Sequence, residues 1–337
     1  MKVLGIVNSA PKECSYGGVT PFMRNMHGYL VQEYDVRYFD LGNNLKKTFI
    51  PARLRFIFSL WNRRRELKQC DFLLCHVPEG AFAISFLGIP YGYIYHGNGN
   101  PMSVSRYWYG KYLGWVFNLF YRRIEKTATI KYTVGPVWDD KKKLFNPICH
   151  NVIPTPYNTR AGFIFAGRLE AGKNIGRLIS IYSKIPEPIK NKHHFYIAGT
   201  GSQEENLKNL VSSMGLDEYI HFLGNLPNEE LIKVDSTKKI LLMASSQEGL
   251  PTAIAEAFSV GVPVISTNPG DIGLVLKNDY NGFIFPLDFK DKDYIAAMEK
   301  VLGDYDRFAQ AALESARVFD AERITKGVIE DINSCII

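Results

Sequence analysis

The chain has 337 residues, of which 46% are hydrophobic and 22% charged, and a net charge of +6. That length accommodates two domains with real cores, and that composition excludes a disordered or fibrous chain. No run of about 18 apolar residues predicts a membrane-spanning helix, and five scattered cysteines without a CxxC spacing fit a reducing compartment better than a disulfide framework.

The opening M-K-V-L-G-I-V reads as a buried strand, its apolar part being too short for a signal peptide. Further strands are expected at 35–40, 71–76, 91–95 and 130–134, alternating with helices at 20–33, 53–69, 79–87 and 105–126. Such alternation predicts a parallel sheet covered on both faces. The Pro-rich stretch 152–158 reads as a linker, which gives a first domain over 1–158. A second series follows, with strands at 163–166, 195–198, 220–223, 240–243, 263–266 and 283–285. Helices near 175–185, 203–214, 228–234, 252–260 and 291–302 separate them, for a second domain over 159–305. Residues 306–337 are expected to form a helix that packs back on the first domain. The fold class predicted is α/β, with two doubly wound Rossmann-like domains. Ligands of such sheets sit at the strand carboxyl ends, and in the cleft between domains if those ends face each other.

The run S-S-Q-E-G-L-P-T-A-I-A-E-A-F-S-V-G-V-P-V-I sets Glu248 and Glu256 eight residues apart. Gly249 loosens the backbone, and Pro251 fits the first turn of a helix, where no amide hydrogen is missed. The amides around Leu250 and Thr252 then point off a helix N-terminus, a seat for phosphate. Glu248 stands before that seat and Glu256 lies more than a turn inside the helix. Two carboxylates straddling a phosphate site can take hydroxyls at opposite ends of one ligand, the layout of a nucleotide sugar. Taken singly, each is more simply read as a capping or a solvated glutamate.

Earlier, G-F-I-F-A-G-R-L-E-A-G-K-N-I ends a strand at Ala166 and carries Arg168 and Lys173 into a loop. Two cations at a strand's carboxyl end can neutralise a departing diphosphate; in any other loop they are solvated surface charge. The run I-A-G-T-G-S-Q-E makes a tight turn at Gly199, weak evidence alone. In the first half Gly17 and Gly18 precede a helix begun by Thr20 and Pro21, where backbone amides could approach a phosphate or an ordinary turn could form. His96 ends an apolar strand, a place where structural histidines are also common.

Together these runs resemble the retaining GT-B glycosyltransferases, specifically glycosyltransferase family 4 (glycosyl transferases group 1), closely over 162–287 and in outline over 1–160. The resemblance implies that Glu248 contacts the sugar hydroxyls and Glu256 the ribose. Arg168 and Lys173 become partners of the leaving diphosphate. Gly199, Asn225 and Leu226 (the last two in H-F-L-G-N-L-P-N) supply nucleotide contacts, as do Gly249, Leu250, Pro251 and Thr252. The Gly17-Gly18 loop closes over the donor, and His96 meets the hexose. The implied reaction moves a hexose from a nucleotide sugar, UDP favoured over GDP, with retention and without a metal or other cofactor. The implied acceptor is a glycan or a lipid-diphosphate-linked saccharide in O-antigen, capsule or exopolysaccharide assembly. The place implied is the cytoplasm, peripheral to the inner membrane.

Departures exist. After V-I-S-T-N the chain reads P-G-D-I-G-L, where relatives have Gly-Gly and then Glu, so Gly270 enters as a site candidate and the donor stays open. The Asp-x-Asp pairs Asp291/Asp293 and Asp304/Asp306 lie far in sequence from the donor motifs and read as surface charge, not a metal site.

Charge is uneven: residues 1–158 carry 21 Lys and Arg against 10 Asp and Glu, the remainder 19 against 24. Two stretches of the first half, K-K-T-F-I-P-A-R-L-R-F-I-F-S-L-W-N-R-R-R and R-Y-W-Y-G-K-Y-L-G-W-V-F-N-L-F-Y-R-R, mix cations with aromatic rings. They suit an anionic bilayer surface; nucleic acid would attract the same charge, and packing against the sheet accounts for many of the rings. Two other functions compete: a nucleotide-sugar epimerase on the same frame, and a basic nucleic-acid-binding protein. The last leaves the donor constellation without a role, so no nucleic-acid partner is expected.

Overall fold

The computed structural model describes residues 1–11, 19–42, 51–96, 110–134, 140–149 and 152–336. Gly17 and Gly18 lie outside them. The chain divides into two compact units: residues 1–149 with 320–337, and residues 150–319.

The first unit is built on β1 (Lys2–Val7), α1 (Val19–Glu33), β2 (Tyr34–Phe39), α2 (Ala52–Asn62), α3 (Arg64–Leu67), β3 (Phe72–Cys75), α4 (Pro78–Ile84), β4 (Tyr91–Tyr95), α5 (Gly110–Thr127), β5 (Ile130–Thr133) and β6 (Lys142–Lys143). Its strands run parallel in the order β2-β1-β3-β4-β5-β6. The strands are short apolar runs because both sheet faces are covered: Phe72, Leu73, Leu74 and Cys75 of β3 are all buried. The expected helix over 53–69 breaks at Arg63, which leaves helical geometry between α2 and α3.

The second unit comprises β7 (Phe163–Ala166), α6 (Ile175–Ser183), α7 (Glu187–Lys192), β8 (Phe195–Ala198), α8 (Glu204–Ser213), β9 (Ile220–Gly224), α9 (Asn228–Asp235), β10 (Ile240–Leu242), α10 (Thr252–Ser259), β11 (Val264–Thr267), β12 (Gly282–Phe285), α11 (Asp291–Gly303) and α12 (Tyr305–Ser315). The sheet order is β12-β11-β10-β7-β8-β9, again with parallel neighbours. The chain winds outward from β7 to β9, returns to β10 beside β7, and winds outward the other way. The switch point therefore lies between the carboxyl ends of β7 and β10, where a doubly wound sheet opens its crevice. The corresponding place in the first unit lies between β1 and β3.

The units do not divide where the Pro-rich stretch had placed the linker. Residues 155–160 are tied into the second unit by Arg160, whose buried guanidinium donates to the carbonyls of Thr155 and Gly261 (2.9 Å each) and to the Tyr305 hydroxyl (3.2 Å). Lys239 adds a bond to the Tyr157 carbonyl at 2.9 Å. The expected C-terminal helix over 306–337 is two helices with different allegiances. Helix α12 buries Phe308, Ala309 and Ala312 in the second unit. Only α13 (Ala321–Cys335) belongs with the first, where Val328, Ile329 and Ile332 enter the core beside Met23, Met26 and Leu30 of α1. Burying such side chains contributes roughly 1.5–3 kcal/mol each. Tyr34 and Tyr132 fix its register by donating to Asn333 and Asp331, both at 2.9 Å.

Candidate functional site

At the switch point of the second unit, the loop after β7 and the loop after β10 approach each other. Lys173 and Glu248, 75 residues apart in sequence, form an ion pair there, Nζ to Oε1, with both side chains mostly buried. The Ser245 hydroxyl donates to the same Glu248 oxygen at 3.1 Å. Two further bonds lock the loops: Ser246 donates its amide to the Gly172 carbonyl (2.8 Å), and the Asn174 amide side chain donates to the Ala244 carbonyl (2.9 Å). Asn174 reaches that carbonyl from a left-handed conformation, φ 51°, which asparagine tolerates better than most residues.

Glu248, Gly249, Leu250 and Pro251 lead into α10, whose first turn takes no side-chain cap. Leu250 is buried, and Thr252 is exposed at the helix start. Gly270 packs on this turn. A β-carbon there would lie 2.1 Å from the Glu248 carbonyl oxygen, so only glycine fits.

At the same edge of the sheet a pocket of about 210 Å³ opens at the carboxyl ends of β7, β8 and β9, lined by Arg168, Gly199, Thr200, Asn225, Leu226 and Leu231, among others. Four of the residues singled out in sequence thus share one concavity, with Arg168 exposed at its rim.

Glu256 lies apart from this exposed group, on the buried face of α10 against α9, and accepts a hydrogen bond from the Asn228 side chain. Burial pushes its carboxyl up to about 7, and the Asn228 bond opposes that shift. Asp235, at the other end of α9, is wholly buried, and neither of its oxygens has a hydrogen-bond partner among the described residues. Burial, and secondarily the Glu256 charge, holds its pKa well above the carboxylate range; Lys238 opposes them. Sequence reading missed it because V-D-S-T-K-K looks like an ordinary polar helix end. It missed Ser245 too, although a Ser three residues before a Glu is a familiar local hydrogen-bonding spacing.

The Asp235 environment predicts a measurable cost. A carboxyl whose folded pKa is raised loses stability for the protein as pH climbs above its unfolded value of about 3.9. Asp235→Asn is expected to raise the melting free energy by about 1–3 kcal/mol at pH 8 and by little at pH 4. Thermal melts across that range check it; an unchanged or lowered melting temperature at pH 8 would refute the assignment.

In the first unit, His96 follows β4 and His76 follows β3. The two rings are hydrogen-bonded, His76 Nδ1 to His96 Nε2 at 3.0 Å, with Phe22 edge-on to both. Burial lowers His96 to about 4 and His76 well below its usual range, the latter helped by His96. Both imidazoles are therefore neutral near pH 7, and the shared proton leaves Nδ1 of His96 as the ring's remaining polar atom. His76 is a neighbour that sequence reading did not single out.

Among the described residues no group of three or more His, Cys, Asp or Glu is placed to hold a metal ion. Asp291 pairs with Lys184 at 2.7 Å, and Asp304 with Arg307 at 2.5 Å, as surface charges do. No helix among the described residues is long and apolar enough to cross a membrane.

Two doubly wound parallel sheets, one with paired cation and carboxylate at its switch point, define a GT-B architecture. The glycosyl transferases group 1 family model matches residues 153–317, all within the second unit. It is 24% identical over 306 residues to an uncharacterized glycosyltransferase of Haemophilus influenzae, covering 80% of this chain and 82% of that one. It is 30% identical over 120 residues to O-antigen chain mannosyltransferase B of Escherichia coli, covering 33% and 32%. The chain spans less than half the length of most of the curated relatives it matches. Among solved structures, HepE of Anabaena in complex with UDP and glucose superposes with a TM-score of 0.73 at 14% identity, over 99% of this chain and 100% of that one. At that identity the likeness is one of fold.

Proposed function

We propose that the protein is a retaining glycosyltransferase that moves a hexose from a nucleotide sugar to a glycan or lipid-linked saccharide during surface-polysaccharide assembly. The observation that carries this is the Lys173–Glu248 pair at the β7/β10 switch point, before the uncapped start of α10, with Arg168 in the same loop after β7 as Lys173. Arg168, Lys173 and the α10 amides supply fixed positive potential where a leaving diphosphate gathers charge, so the reaction needs no metal ion. Glu248, bridged to Lys173, is placed to accept sugar hydroxyls next to the breaking bond. The pocket of about 210 Å³ near Asn225 and Leu226 is of a size for a planar base, since a cavity of about 150 Å³ already holds benzene. A fold neighbour solved with UDP and glucose favours a uridine donor, and the O-antigen relative favours polysaccharide assembly. His96 is assigned to the hexose from the first unit, and Gly17 and Gly18 to the donor. The work is done on the cytoplasmic side, with peripheral contact to the membrane.

A melting panel with UDP-, GDP- and ADP-sugars tests the reading. A donor that binds only the folded chain raises its melting temperature, and the UDP-sugars are expected to do so most. No shift with any of them would refute it.

Glu256 adds a pH signature. If its carboxylate accepts the ribose hydroxyls, binding favours the ionised form of a group whose pKa is about 7. UDP affinity is then expected to fall by up to about tenfold per pH unit below that value, with proton release on binding. Calorimetry in buffers of different ionisation enthalpy reads the protons. Glu256→Gln should remove the pH dependence, and its persistence in that variant would exclude Glu256.

A further inference from the structure

We infer that the outer face of α2, α4 and α5 is a docking surface for an anionic lipid bilayer. On α2, Leu54, Phe58 and Trp61 recur at positions i, i+4 and i+7 and all stand exposed, Phe58 at 60%, while Phe56 and Leu60 of the same helix are buried in the core. On α5, Trp115 (62% exposed) and Leu119 repeat the pattern at i and i+4, with Ile124 buried beneath. Both helices are thus apolar on the side turned to the sheet and again on the side turned to water.

The two stripes belong to one surface. Helix α4 packs against both α2 and α5. Phe86, just past its end, is exposed and meets Phe82 edge-on at 5.2 Å, and Phe82 stacks on Phe120 of α5 at 4.3 Å. The Arg123 guanidinium lies 3.9 Å over the Phe86 ring, and that of Arg53 lies 4.8 Å over Phe117. Large apolar side chains gathered on one exposed face mark an interaction site.

Charge identifies the occupant. Residues 51–69 hold six Lys and Arg against one Glu, and residues 110–127 hold four against one. Arg64, Arg65, Arg122 and Lys126 are exposed around the rings. Aromatic rings settle at headgroup depth, aliphatic tips enter the acyl boundary, and nearby cations are drawn to an anionic surface. A polyanion such as nucleic acid matches the cations and could stack on rings, but gives Leu54 and Leu119 nothing to enter. The inference deepens the peripheral contact proposed above, and it is testable without donor or acceptor, so it can fail while sugar transfer stands.

The test is flotation of the full chain with phosphatidylcholine vesicles, with and without phosphatidylglycerol. The chain is expected to float with the anionic vesicles at low salt, to stay behind with phosphatidylcholine alone, and to be released as salt screens the contact. The variant Phe58→Ser/Trp61→Ser/Trp115→Ser should partition at least about tenfold less while melting like the wild type. Arg64→Ala/Arg65→Ala should weaken binding to anionic vesicles only. Absence of flotation by the wild type, or equal flotation by the triple variant, would overturn the inference. So would duplex DNA binding lost with the same aromatic residues, or a solution dimer that the triple variant dissolves.

Discussion

Glu248→Gln is expected to lower sugar transfer by about 10³-fold while leaving UDP affinity within a few fold. The substitution keeps the shape that receives the Ser245 hydroxyl and removes the charge that Lys173 pairs with. If Glu248 orients the sugar at the reacting carbon, its contribution appears in kcat and scarcely in nucleotide binding. Lys173→Ala and Arg168→Ala are also expected to lower transfer strongly, and to weaken UDP, whose diphosphate charge is fully developed, more than the intact donor. Lys173→Ala should show the larger defect of the two, since it also leaves Glu248 without its counter-ion. Steady-state kinetics beside UDP calorimetry separates the effects. Transfer unchanged in the Glu248 variant would remove it from the site.

The second large effect is on the fold that carries the site. Gly199→Ala is expected to destabilise the second unit by about 3 kcal/mol or more, a drop of roughly 6–12 °C in melting temperature. Gly199 has φ 136°, and a β-carbon there would lie 1.8 Å from the Gly167 carbonyl oxygen. Its amide donates to Gly224 at 2.7 Å, and Gly167 donates to Ala198 at 3.0 Å, so backbone on both sides is fixed. The close approach draws the β7 and β8 loops together around the pocket. Gly215→Ala provides the comparison: φ is 65° there, but nothing lies within 4 Å of the added carbon. It should cost about 1 kcal/mol. Equal melting of the two variants would show that the contact carries no special weight.

What could be read from sequence follows the range of the interactions involved. Strands of the second unit were placed to within a residue or so, because a strand buried on both faces is a short apolar run ended by glycine or a polar loop, as in F-I-F-A-G-R. Helix α13 was visible through Ile324, Val328, Ile329 and Ile332, an apolar stripe at helical spacing. Helix α7 was not, since Pro186 and Pro188 look like a loop until Pro188 is seen within its first turn. The separation of α12 from α13 was equally hidden, because both are amphipathic and only the partner surface distinguishes them. At the site, the loop residues could be named but not their pairing. Nothing local says that Lys173 meets Glu248, that Asn228 serves Glu256, or that His76 holds His96. Asp235 was the least legible, because its unpaired burial is a property of tertiary packing alone.

The central claim is that a nucleoside diphosphate is held by fixed positive charge in the second unit, without a metal. The most direct measurement is UDP calorimetry in excess EDTA, with the wild type and with Arg168→Ala/Lys173→Ala. The wild type is expected to bind, and the double variant to lose at least about a hundredfold in affinity at a temperature where melting curves show both chains folded. Binding that vanishes from the wild type when EDTA is added, or survives undiminished in the double variant, would contradict the claim.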